Sequence, residues 1–151
     1  MNGLEIGIQI VTIVDLVVAS IQDIRRKSIW LIWIAMLGLL SIASMIASII
    51  DGTINYIWVI TTILLGMVSM LINRIGRKNI GEADIIIVLL IALILNGVYY
   101  LEFIIITFGS VFVFSLTILT SRKANKEDII PFIPFITIGM ICAFITECIY
   151  R

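Results

Sequence analysis

Two acids at the edges of apolar segments have the residue types and placement to do chemistry. Asp23 lies in Gln22-Asp23-Ile24-Arg25-Arg26-Lys27, and Asp84 in Ile80-Gly81-Glu82-Ala83-Asp84. Each stands where a very apolar stretch meets a short basic one. Holding carboxylates at a bilayer boundary is costly, so two of them are a default site hypothesis. Two carboxylates that share a site cannot both ionise easily, and one keeps a proton near neutral pH. Such a pair can activate water as a base and protonate a carbonyl or leaving amine as an acid. That is hydrolysis without a side-chain nucleophile, metal or cofactor. Asp23 closes one apolar segment and Asp84 opens another. The helix macrodipole disfavours a negative charge at the first place and favours it at the second. This predicts Asp84 as the more readily ionised partner and Asp23 as the proton holder. A plainer reading fits the same residues. Asp84 is then an ordinary first-turn acid, and Asp23 pairs with Arg25, Arg26 or Lys27 at a solvated edge.

The elements that carry these acids follow from composition. The chain has 151 residues, 62% hydrophobic and 13% charged, far from the makeup of a soluble domain. A span needs about 20 apolar residues to cross a core roughly 30 Å thick. Six stretches qualify: Leu4–Gln22, Ile29–Ile50, Ile57–Ile72, Ile85–Leu101, Phe103–Thr120 and Phe132–Tyr150. The third and fourth are near the short limit. Backbone inside a bilayer must satisfy its own hydrogen bonds, which selects helices despite the many Ile and Val. The expected fold is all-α, a polytopic bundle of six transmembrane helices forming a single domain over residues 1–151. The first stretch carries Glu5, lacks a basic flank and is too long for a signal peptide's apolar region, so it is expected to be retained.

Charge sets the orientation. Arg25, Arg26 and Lys27 follow span one; Arg74, Arg77 and Lys78 follow span three; Arg122, Lys123 and Lys126 follow span five. Only Arg151 of the basic residues falls elsewhere. The positive-inside rule places these three loops in the cytoplasm and both termini outside. The other loops are acidic or neutral, with Asp51-Gly52-Thr53-Ile54-Asn55 and Glu102. Trp30 and Trp33 fit the cytoplasmic interface; Tyr56, Trp58, Tyr99, Tyr100 and Tyr150 fit the outer one. The expected localisation is the plasma membrane, with Asp23 and Asp84 on the cytoplasmic face.

With the motifs in this order, the chain resembles the GxGD aspartyl peptidases: an Asp-x-Arg segment after the first span and a Gly-x-Gly-Asp-like segment opening the fourth. The helix count and Pro131-Phe132-Ile133-Pro134-Phe135 are similar to the prepilin peptidase branch. The resemblance runs from Asp23 to Phe135. It implies that Asp23 and Asp84 are catalytic and need neither cofactor nor metal. It also implies a substrate: a type IV pilin-like or pseudopilin precursor, cut on the cytoplasmic side between a basic leader and a hydrophobic helix. Glu82, Glu127 and Asp128 would attract such a leader or are solvated loop charges. Three positions depart from the family pattern. Ala83 replaces the second Gly, which narrows the backbone choices. Trp30 stands where Pro is common, and Ile86 where Lys is common. Larger members carry an N-terminal domain with Cys-x-x-Cys motifs linked to N-methylation; nothing of the kind precedes Leu4, so the resemblance implies peptidase activity only.

Other residues leave alternatives open. Asp15 lies eight residues before Asp23, about 12 Å deeper and about 80° round a helix. It must face protein or water, as a hydrogen-bonded structural acid or as part of a proton path; Gln22 lies near its face. Pro131 and Pro134 start a helix or line the site. Gly76 and Gly81 flank a loop and allow close backbone approach or simple flexibility. Gly38, Ser41, Ser44, Gly66 and Ser69 suit close helix packing. Cys142 and Cys148 point to different sides of one helix, so a disulfide between them is not expected. With no His and no Cys pair at ligand spacing, a zinc site is not expected. The expected partners are the bilayer and a precursor protein, not nucleic acid. Competing functions are a non-enzymatic assembly protein and a small transporter using Asp15, Asp23 and Asp84 as a polar pathway.

Overall fold

The computed structural model describes residues 3–26, 30–75, 81–95, 97–120 and 131–150. They form six helices: α1 (Gly3–Arg26), α2 (Leu31–Ile50), α3 (Tyr56–Ile75), α4 (Glu82–Ile94), α5 (Gly97–Thr120) and α6 (Ile133–Tyr150). No strand occurs among the described residues. All but α4 are long and apolar enough to cross a membrane. At 13 residues, α4 is only about 20 Å long, short of a bilayer core.

The break between α4 and α5 departs from the expected spans. The apolar run Ile85–Leu101 is not one helix. Leu95 is extended (φ −91°, ψ 143°), and α5 begins at Gly97. A side chain at Gly97 would press on the Trp58 ring, its Cβ 3.3 Å from Cε3. Residues 96 and 97 read Asn-Gly, a helix breaker that hydropathy alone does not register. The shift takes Tyr99, Tyr100 and Glu102 into α5. Glu102 is therefore not a loop acid: its Oε1 accepts the Thr146 hydroxyl from α6 at 2.6 Å.

Neighbouring helices pack in the order α5–α6–α1–α2–α4–α3, with α4 also touching α5. They share one core, in which Leu16, Leu37, Ile87, Ile91, Phe103, Ile136 and Met140 are sealed off. The outer faces keep Ile, Leu and Val, as a lipid environment requires.

α1 is built inside out. Its buried residues are Ile8, Gln9, Thr12, Asp15, Leu16, Ala19, Ser20 and Asp23, spaced three and four apart so that they share one face. Most are polar, while Val11, Val14, Val18 and Ile21 face outwards. α6 runs antiparallel against this face and answers it. Gln9 meets Glu147, Ser20 meets Thr137 at 2.6 Å, and Asp23 meets Ile133.

Glycines and small residues set several close approaches. A Cβ at Gly139 in α6 would collide with Thr107 Oγ1 and lie 2.9 Å from the Phe103 carbonyl of α5. Gly66 in α3 abuts the tip of Leu89 in α4. Ser41 and Ser44 are buried, whereas a Cβ at Gly38 would meet no other described element within 4 Å. Between α2 and α3, Gly52 takes a positive φ of 65° that favours glycine.

Candidate active site

Asp23 sits in the last full turn of α1 and is 7% exposed. Its Oδ2 accepts the backbone N–H of Ile133 at 3.2 Å. Ile133 is the first residue of α6, where backbone N–H groups lack partners within the helix. Pro134 beside it has no N–H to offer. The segment Pro131-Phe132-Ile133-Pro134-Phe135 thus both starts a helix and holds Asp23. Two ring contacts fix the segment against α5: Phe132 with Phe108, centroids 5.9 Å apart, and Phe135 with Phe114, 5.2 Å apart.

Asp84 is the third residue of α4, after the N-cap Gly81 (φ −60°, ψ 126°). Its carboxyl folds back over Gly81. A Cβ there would lie 2.8 Å from Asp84 Oδ2, so glycine leaves the carboxyl its place. Asp84 precedes the apolar run that begins at Ile85. Burial pushes its pKa from 3.8 up to about 6, and the Asp23 charge pushes in the same direction. The structure therefore brings the two acids into mutual range. Desolvation at Asp84 outweighs the favourable helix N-terminus, so its carboxyl holds a proton more tightly than an ordinary aspartate.

Two of the three residues that depart from the motif pattern, Ala83 and Trp30, have physical explanations. Ala83 is inside α4, so its backbone is helical and nothing there demands glycine. Trp30 is the N-cap of α2 with φ −76° and ψ 138°, a conformation proline also adopts. Its ring lies under the Arg26 guanidinium, 5.2 Å from the centroid. Ile86 is half-buried; no contact explains its identity. Gln22 turns to α2 and accepts the Trp33 indole N–H at 2.6 Å. Asp15 is buried, 5% exposed, but Oδ2 has no hydrogen-bond partner among the described residues, unlike a fully bonded structural acid.

Gly76, Arg77, Lys78, Asn79, Ile80, Glu127 and Asp128 lie outside the described residues, as do Lys27, Arg122, Lys123, Lys126 and Arg151. Among the described residues no three of His, Cys, Asp and Glu gather as metal ligands.

Sequence reasoning overlooked the opposite end of the bundle. There Glu147, 1% exposed, accepts the Gln9 side-chain N–H at 2.8 Å. An acid within the last apolar segment was the available signal. The pairing itself depends on α1 meeting α6, which residue spacing does not reveal. No family model, curated protein or solved structure matches this chain.

Proposed function

We propose that this chain is a membrane aspartyl endopeptidase acting through Asp23 and Asp84. The observation that carries the reading is the pair itself. Two carboxylates from separate helices interact at one end of an apolar bundle, and one of them is held protonated to about pH 6. In the proposed reaction the protonated Asp84 donates to the scissile carbonyl while Asp23 takes a proton from the attacking water. Transfer of a proton to the amine then completes cleavage. The Ile133 N–H and the Asp84 fold over Gly81 keep both carboxyls oriented before substrate arrives.

The substrate class rests on the motif resemblance: a pilin-like or pseudopilin precursor with a basic leader and hydrophobic helix. The basic loops support a cytoplasmic active site in the plasma membrane, six spans and outward termini. The test is co-expression with a panel of such precursors. Wild type shortens at least one; Asp23→Asn and Asp84→Asn each lower cleavage by about 10²-fold or more. With purified protein, kcat/KM falls as pH rises past about 6, where Asp84 loses its proton. Absence of any size shift across the panel, or full activity in either variant, removes the assignment. The transporter reading draws support from Asp15 and its unpartnered Oδ2. It requires ion flux in liposomes that Asp15→Asn eliminates.

A further inference from the structure

The end of the bundle away from the Asp pair holds a small polar chamber of about 40 Å³, lined by residues of α1, α2, α3, α4 and α6. That volume suits one or two waters or a bare metal ion and excludes organic molecules. Oxygen atoms dominate its chemistry. Glu5 and Glu147 supply carboxylates, Ser44 and Ser48 hydroxyls, and Gln9 and Asn55 amides. None of the described lining residues is basic.

Gln9 is the independent indicator. It is 4% exposed, and its Nε2 donates to Glu147 Oε2 at 2.8 Å. A carboxylate accepts only from a donor, so this bond fixes the amide with its NH2 group towards Glu147. Oε1 must then face away, and it has no hydrogen-bond partner among the described residues. A buried carbonyl oxygen left in this state is destabilising. The end of α4 adds to the field. Leu95 N–H takes the Ile91 carbonyl and the Trp58 indole N–H takes that of Ala92. The helix then stops, and Leu93, Ile94 and Leu95 form one wall of the chamber. A helix C-terminus carries partial negative charge, and interrupted membrane helices present such ends to cations.

We propose that this chamber binds a small hard cation, sodium or calcium, through the Gln9 Oε1, the Glu147 carboxylate and neighbouring oxygen donors. The carboxylates balance its charge, and oxygen ligands suit a hard ion better than a soft one. The site is separate from the Asp pair and does not depend on the peptidase reading. By joining α1 and α6 across the chamber, the ion stabilises the folded bundle by mass action.

The experiment uses purified full-length protein in detergent, with choline chloride holding ionic strength constant. Radioactive sodium and calcium are each titrated, and thermal unfolding is followed in parallel. One of the two ions binds saturably and raises Tm by several degrees; the other arm identifies the loser. Gln9→Leu and Glu147→Gln lose at least tenfold in affinity, together with the Tm shift. Asp84→Asn binds the ion as wild type does. No saturable binding of either ion to folded wild type overturns the proposal and assigns the chamber to water. Loss of binding in Asp84→Asn overturns it as well, because the ion would then occupy the Asp pair.

Discussion

Gly81 governs where the Asp84 carboxyl rests, because the space a Cβ would fill is already taken by Oδ2. Gly81→Ala should therefore displace the carboxyl while leaving the helix able to form. Misplacement of a reacting group by about 1 Å costs roughly 10²-fold, so precursor cleavage should fall by that order with Tm held near wild type. Ala83→Gly is the contrasting change. At a helical position it introduces the glycine of the motif that the sequence resembles but costs up to about 1 kcal/mol of helix propensity, and under the proposed peptidase reading cleavage should not improve. An increase in rate would mean that the backbone at Ala83 must leave the helix during turnover. The position of Asp23 and Asp84 at one end of the bundle was legible in the sequence because ionisable residues at the edges of apolar stretches stand out. The raised pKa of Asp84 was not. The dipole argument used chain position, whereas burial, a product of tertiary packing, is the larger influence at Asp84.

Helix-level reading succeeded where apolar runs were bounded by charge and failed where the break lay inside one. α1, α2, α3 and α6 follow the sequence boundaries within a few residues. The α4–α5 break does not, since Leu95-Asn96-Gly97 interrupts a run whose average hydropathy stays high. The buried polar face of α1 was available as spacing, but its meaning required α6 as a partner. The α5–α6 contact yields a stability prediction. Gly139→Ala forces a methyl group onto the Phe103 carbonyl and Thr107, and backbone cannot swing aside as a side chain can. It should cost about 1–3 kcal/mol, measured by denaturant unfolding in detergent micelles. Gly66→Ala meets only the movable tip of Leu89 and should lie within about 1 kcal/mol of wild type. Equal losses in the two variants would show that the α5–α6 approach is looser than its geometry implies.

At the scale of the molecule, charge and geometry bear on different questions. The loop charges propose which way the bundle faces; packing determines which ends of the helices meet. Asp23, Ile133 and Asp84 share one end, and Gln9, Glu147 and the Trp58 indole gather towards the other. Reporter tags should separate these ends across the membrane. Tags inserted at Lys27, Asn79 and Ala124 should report the cytoplasm, and tags at Gly52 and Asn96 the outside. If Asn79 and Asn96 report the same side, α4 does not cross and the bundle has five spans.

The bond from Ile133 to Asp23 joins positions 110 residues apart and imposes an order in time. During synthesis Asp23 enters the membrane long before α6 exists. Until α6 arrives, the Asp23 carboxyl lacks the Ile133 N–H, and the α1 face of Gln9, Thr12, Asp15 and Ser20 lacks its cover. A half-made chain therefore has both acids but no Ile133 N–H to position Asp23, so under the proposed peptidase reading a growing polypeptide would lack an organised pair until α6 has inserted.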